Sequence, residues 1–345
     1  MKAKSDVMAQ AKRRLRAALS ETVTVEGSQA VQRVMDNRRE VIATWRKHMK
    51  TRACNTTEIW KSGLELMELA VTQAACCSEQ FDSMRPERFH ANFTAISRLF
   101  SEAVNIASEV LLLLRNGFAS GAHARWRSLY ERAVIALFLA HSVDSTSKKF
   151  LDHEIVKNYE LLSEAQRFCS MTGLKPLPAA RLQKCMNALE RVVQRYGSDF
   201  AGKYGWAKTA LAKRFPARKG GVTFDEITRA CGLEFMKSPY GLASHAVHAT
   251  PVSVRAWAES EGLVTSSEPA VMTILSLIHC TDAAHICVPR LMRRAPENVD
   301  ALMELIDASV RFSVALHAFQ TIAFKAIDIL NSIDDVENRS RDSEA

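Results

Sequence analysis

Four groups of residues have types and spacings that chemistry uses. The first is "YGLASHAVHAT", residues 240–250. Tyr240, Ser244 and His248 are four apart, so a helix lines them on one stripe, with His245 three positions before His248. Pro251 biases Thr250 to extended backbone and ends the helix. His248 then falls in the last turn, near the negative end of the helix dipole, where an imidazole suits a general acid or a phosphate contact. The plainer alternative is a capping histidine bonded to a free carbonyl. His245 and His248 could also face a metal, with Glu131 or His123 as a third ligand supplied by the fold.

The second group is "NGFASGAHARWRSLYERAVIALFLA", residues 116–140. Arg127 and Glu131 are four apart and can pair on one helix face, with Trp126 and Tyr130 on the adjacent face. From Ala133 to Ala140 the segment is apolar on every side, the mark of a central helix. Arg125, Arg127 and Glu131 therefore enter a helix that soon becomes core, where charges need partners. A structural ion pair and a phosphate-holding site both fit that pattern.

The third group is "KYGWAKTALAKRF", residues 203–215, where Tyr204 and Trp206 precede Lys208, Lys213 and Arg214. Aromatics among bases can stack on and neutralise a nucleotide; they can equally pin a loop to the core. The fourth is Arg311-x5-His317, the loose Arg-x4–6-His spacing of helical ribonucleases, in which arginine holds the phosphate and histidine moves the proton. Phe312 stands where a polar residue is usual. Arg85-x4-His90 has a similar spacing, with Pro86 marking a helix start.

Helices must position these groups. The 345 residues are 47% hydrophobic and 24% charged, with 13 glycines and 9 prolines, and apolar residues recur at three and four nearly throughout. Capping boxes are expected at Asn55-Thr-Thr-Glu58 and Thr223-Phe-Asp-Glu226. Stops are expected at Asn116-Gly117, Gly173, Gly232 and Pro251. "GGVTF" at 220–224 reads as a loop feeding a capped helix. The fold class expected is all-α, a multi-helix bundle with a long C-terminal helical pair near 267–290 and 297–331. The expected divisions are a basic helical extension at 1–95, a helical core at 96–332, and an acidic tail at 333–345 that frays or is disordered.

The formal charge of +8 is carried by residues 1–52; the rest of the chain is balanced. That basic segment could bind RNA or another polyanion, or be a solvated helix. Eight cysteines show no C-x-x-C pair and read as small, reduced hydrophobes. No cofactor and no metal site is expected. The N-terminus is too charged for a secretory signal, and His279, Asp282 and His285 interrupt the most apolar long segment. The expected setting is cytoplasmic, without a membrane span; an oligomer is compatible with the composition.

"RWRSLYERAVIALFLA", "FLDHEIVKNYELL", "YGSDFAGKYGWA", "TFDEITRACGL" and "YGLASHAVHAT" follow in an order that resembles a bacterial conserved domain family of unknown function. The resemblance covers about residues 96–260. The matching positions are Arg125, Trp126, Arg127, Glu131, His153, Tyr159, Tyr204, Trp206, Ser244 and His248. It implies an α-helical fold and no established activity. The helical layout is also similar to the higher-eukaryote-and-prokaryote nucleotide-binding superfamily, which implies an RNA- or nucleotide-directed role, with a metal-independent endoribonuclease of stress or phage-defence type as the specific candidate. On that reading His248 transfers the proton, Arg125 and Arg127 hold phosphate, Glu131 orients one of them, and Tyr204, Trp206, Tyr240, Ser244 and His245 bind. A non-enzymatic helical scaffold and a metal-dependent hydrolase are the alternatives.

Overall fold

The computed structural model describes residues 28–33, 35–212, 215, 220–248, 251 and 267–344. Among these the regular structure is helical, with no strand, so the protein is all-α. The helices are α1 (Arg38–Ser83), α2 (Ala91–Arg115), α3 (Ala119–Ala140), α4 (Asp144–Asp152), α5 (Glu154–Thr172), α6 (Ala179–Tyr196), α7 (Lys208–Ala212), α8 (Phe224–Ala230), α9 (Lys237–Val247), α10 (Glu268–Met292) and α11 (Val299–Glu344). Short 3-10 turns occupy Ser198–Ala201, Gly205–Ala207 and Glu234–Met236.

The chain forms two compact units, Met1–Asn55 and Thr56–Ala345. In the first, the described residues between 28 and 48 are mainly helical and exposed, including the side chain of Trp45. Residues 1–27 of the expected polyanion-binding segment lie outside the described residues. The sequence placed the division at 95/96 instead. The reason for the difference is packing: Trp60, Leu64, Met67, Phe81 and Met84 are buried and belong to the core of the second unit. Each buried side chain of that size contributes about 1.5–3 kcal/mol, more than enough to hold its segment in that unit. The helix start expected at Asn55 falls inside the continuous span of α1.

In the second unit, α2, α3 and α10 pack on one another as the central layer. α3 is buried along Ala133, Val134 and Ala136–Ala140, as its uninterrupted apolar run requires between two neighbours. Trp126 is fully buried, and its Nε1–H donates to Ser276 Oγ on α10 at 3.0 Å. The start of α2 is closed by two side chains. His90 Nδ1 accepts from the Phe93 amide at 3.2 Å, and Asp144 Oδ1 accepts from the Asn92 amide at 2.9 Å. Both satisfy amides that the helix itself leaves unpaired.

The expected capping box of α8 is present: the Thr223 amide donates to Glu226 Oε2 at 2.9 Å. α2 closes at Asn116 and α5 at Gly173, whose φ of 71° is the left-handed conformation that ends a helix. α11 packs on the part of α1 that belongs to the second unit. A Cβ on Gly63 would lie 2.5 Å from Leu330 Cδ2, and the Phe81 and Phe312 rings meet at 5.9 Å. α11 continues to Glu344.

Two helices, α10 and Val299–Ile333 of α11, are long and apolar enough by length and composition to cross a membrane; the first contains the segment that the sequence marked as the most apolar. Over half of the α10 window is buried in the bundle.

Candidate functional site

α3 and α9 pack against each other and set one polar cluster in the aromatic wall between them. Glu131 and Arg127 sit one turn apart on α3, with Arg127 Nε 3.4 Å from Glu131 Oε1. From α9, the Tyr240 hydroxyl donates to the same Glu131 oxygen at 2.6 Å. The Arg127 guanidinium lies 4.8 Å from the Tyr240 ring centroid, within cation–π range. The Tyr240 ring meets Tyr130 and Phe224 at 5.4 Å each, and Phe224 faces Tyr204 at 6.2 Å. The cluster is half-open: the Arg127 side chain is 25% exposed and that of Glu131 36%.

Its electrostatics follow from that placement. Burial, then the hydrogen bond to Glu131, raises the Tyr240 phenol well above its ordinary value, so it stays a donor. Burial also raises Tyr204, with the nearby Glu131 charge adding to it. For Arg127, burial opposes the charge, but Tyr240 and Glu131 outweigh it and the guanidinium is held charged. The arrangement is a fixed cation, oriented by a carboxylate and backed by aromatic faces. It can accept an anionic oxygen, or stack a planar group beside it.

The other sequence candidates fall elsewhere. Arg125 lies about 200° around the helix from Arg127, since each residue turns about 100°. It pairs with Glu109 on α2, so the two arginines cannot grip one phosphate and the expectation for Arg125 is withdrawn. Trp206 is buried, with its ring edge-on to Phe138 at 5.8 Å and Phe150 at 5.0 Å. No open face remains for a base, so its binding role gives way to packing.

Ser244 donates to its own helix, at Tyr240 O, 2.9 Å away. His248 caps α9 through its amide, which donates to Ser244 O at 3.0 Å, and its side chain is exposed; His245 is half-buried. Eight residues of helical rise put His248 about 12 Å along the axis from Tyr240. The stripe therefore brings Tyr240 to the cluster while His248 lies more than two turns on. The basic loop 212–221 lies mostly outside the described residues.

On α11, Arg311 pairs with Asp307, and its Nε donates to Gln80 Oε1 at 2.9 Å. His317 is about 240° further round the helix, and Phe312 is buried against Phe81. Arg311 and His317 do not converge. Among the described residues, no three His, Cys, Asp or Glu side chains gather as a metal-binding group, so the metal-hydrolase alternative has no donor set there. Cys77 and Cys287 are buried, which pushes both thiols up to about 12.

His153 is buried, with Nε2 2.9 Å from Gly202 O and its ring edge-on to Phe200 at 5.3 Å. It joins the α4–α5 junction to the turn that carries Tyr204. Burial lowers its basicity. The unfolded chain, with histidine near 6.5, therefore binds protons the folded chain refuses. Stability should be complete above that value and should fall as pH drops below it. Melting temperatures between pH 7.5 and 5.5 should decline less steeply in His153→Gln than in the wild type; equal slopes would contradict this assignment.

The aromatic members Phe224 and Tyr130 were missing from the sequence candidates. Phe224 follows the Thr223 cap, so a reading of that box could have placed its ring but not its neighbours.

Residues 93–262 match the model described as a family of unknown function, DUF5677. That stretch contains α3, α9 and the whole Arg127–Glu131–Tyr240 cluster. No curated protein and no solved structure matches the chain.

Proposed function

We propose that this protein is RNA- or nucleotide-directed and that it meets its ligand at the Arg127–Glu131–Tyr240 cluster. The observation that carries this reading is the state of Arg127: charged, oriented by Glu131, laid on the Tyr240 ring and still a quarter exposed. A guanidinium fixed in that way loses little freedom on meeting a phosphate oxygen. Tyr240 and Tyr204 supply planar surface beside it, and the basic residues of 1–52 supply long-range attraction for a polyanion.

The finer reading is a metal-independent endoribonuclease of bacterial stress or phage-defence type, acting in the cytoplasm. His248 is then the proton-transfer group, and it works on a phosphodiester one or two nucleotides from the one held by Arg127. The separation along α9 requires an extended ligand, which favours RNA over a mononucleotide.

The test pairs binding with cleavage. Wild type, His248→Ala and Arg127→Gln are each incubated with total RNA, and their affinity for short single strands is measured. The expected result is binding by wild type and His248→Ala, weakened in Arg127→Gln, with cleavage in wild type alone. Equal cleavage by wild type and His248→Ala removes the histidine's role. Binding that ignores Arg127 removes the ligand site and favours a helical scaffold, in which the cluster ties α3 to α9. The engaged Arg125 and the buried Trp206 already fit that second reading.

A further inference from the structure

A second group of unused side chains surrounds the start of α2. Asn92 Nδ2 donates to Leu139 O at 2.7 Å, which sets this end of the α2–α3 pair roughly 18 Å of helix away from Arg127. Here a cavity of about 390 Å³ is lined by Arg85, Glu87, Arg88, His90, Phe93 and Arg98, among others. Arg85 is engaged, its Nη2 donating to both oxygens of Asp82 at 2.8 and 3.0 Å. Arg88 and Arg98 are exposed and have no hydrogen-bond or ion-pair partner among the described residues. Glu87, also exposed, is the acidic residue of this lining.

His90 supplies an independent observation. Its side chain is only 4% exposed; the Phe93 amide donates to its Nδ1 at 3.2 Å, and Asp144 Oδ1 lies 3.4 Å from the same nitrogen. An amide N–H can only donate, so Nδ1 is the accepting nitrogen and the neutral ring carries its proton on Nε2. Burial, with Arg294 and Arg290 adding to it against the pull of Asp144, lowers the basicity of the ring and keeps it neutral. Nε2 has no hydrogen-bond partner among the described residues, yet it is not among the polar atoms sealed from solvent. The ring of this cavity-lining residue thus keeps one unused donor that solvent can reach. The first amides of α2 are already taken by His90 and Asp144, so the feature does not rest on a bare helix end.

The geometry points to this cavity as a binding site for a phosphomonoester dianion, with Arg88 and Arg98 balancing its charge and the His90 Nε2–H donating to one oxygen. A monoester carries about −1.5 to −2 at neutral pH, the charge that two guanidiniums match; a diester carries roughly half of it. A small phosphorylated metabolite and the phosphorylated end of an RNA share this chemistry. The site is separate from the cluster at Arg127 and stands whether or not that cluster binds.

The test uses the full chain labelled with ¹⁵N-histidine and titrated with inorganic phosphate. A saturable shift of the His90 ring signals is expected, identified by their loss in His90→Gln. Arg88→Gln with Arg98→Gln, both on the surface, should weaken phosphate about tenfold or more. If His90→Gln fails to fold, the signals are identified by proximity to Phe93, and the arginine pair alone carries the test. A short RNA bearing a 5′-phosphate should displace phosphate from the His90 signals; the same RNA with a 5′-hydroxyl should not. No saturable shift, a shift indifferent to the arginine pair, or equal displacement by both RNAs would overturn the assignment. Arg127→Gln should leave this titration unchanged, so failure here and failure at the Arg127 cluster are read separately.

Discussion

Trp126→Ala is expected to destabilise the protein by about 3–5 kcal/mol, the cost of a large aromatic lost from a core that cannot close over the gap. The residue is fully buried, stacks on Tyr130 at 5.5 Å and meets the His123 ring at 5.6 Å. Its one polar atom donates to Ser276 Oγ, whose own proton goes to Met272 O at 2.8 Å. Trp126 therefore joins α3 to α10 by both volume and hydrogen bond. Trp126→Phe keeps most of the volume and should cost less, with about 1 kcal/mol of its effect from the missing bond. Urea unfolding of the three proteins is the measurement. If alanine costs no more than phenylalanine, packing is not what Trp126 provides. Tyr130 rests on this ring and Tyr240 on Tyr130, so the alanine variant should also loosen the Arg127–Glu131–Tyr240 cluster.

The second large effect is expected at Gly205. A Cβ there would lie 2.2 Å from Asp199 O and 2.6 Å from Phe200 O, and both are backbone atoms with no freedom to turn aside. Gly205→Ala must push apart the two 3-10 turns at Ser198–Ala201 and Gly205–Ala207. A cost of about 1–3 kcal/mol is expected, as for overpacking elsewhere in cores. The displacement would also move Tyr204 and Trp206, which flank the glycine. Near-ultraviolet circular dichroism should report altered aromatic packing together with a lower unfolding midpoint. An unchanged midpoint would mean the turns do not approach as closely as described. Gly221→Ala meets nothing within 4 Å and serves as the control.

The helical architecture was legible because its signals are local. Apolar spacing of three and four, the Thr223–Glu226 box and glycines such as Gly117 and Gly173 each declare an element from neighbouring residues alone. The same locality explains what was misread. Asn55-Thr-Thr-Glu58 has the form of a helix start, yet it sits inside α1, because nothing in four residues tells a cap from a turn within a longer helix. The division at 95/96 missed that residues 60–84 complete the second unit's core, a tertiary fact.

At the candidate site the pattern is similar. Arg127 and Glu131 could be paired from their spacing, and Tyr240 could be put on a stripe with Ser244 and His248. That Tyr240 would bond Glu131 across a sequence separation of 109 was not legible, since it depends on how α9 crosses α3. Arg125 and Trp206 looked alike in kind to Arg127 and Tyr204. The structure separates them by facing: Arg125 turns to Glu109, and Trp206 turns into the core. The Arg85–His90 spacing marks only a helix start in the sequence, and it is the fold that places both residues on one cavity.

If the Arg127–Tyr240 surface, and not the bundle as a whole, meets a phosphate-bearing ligand, a change at Arg127 alone should weaken binding. The most direct measurement is the affinity of a short single-stranded RNA for wild type, Arg127→Gln and Arg125→Gln across a salt series, with unfolding midpoints recorded in parallel. Salt-dependent binding by wild type is expected, with about a tenfold loss and a shallower salt slope in Arg127→Gln and near wild-type binding in Arg125→Gln. Equal affinities in all three, or a loss in Arg127→Gln that merely tracks a lower midpoint, would contradict it.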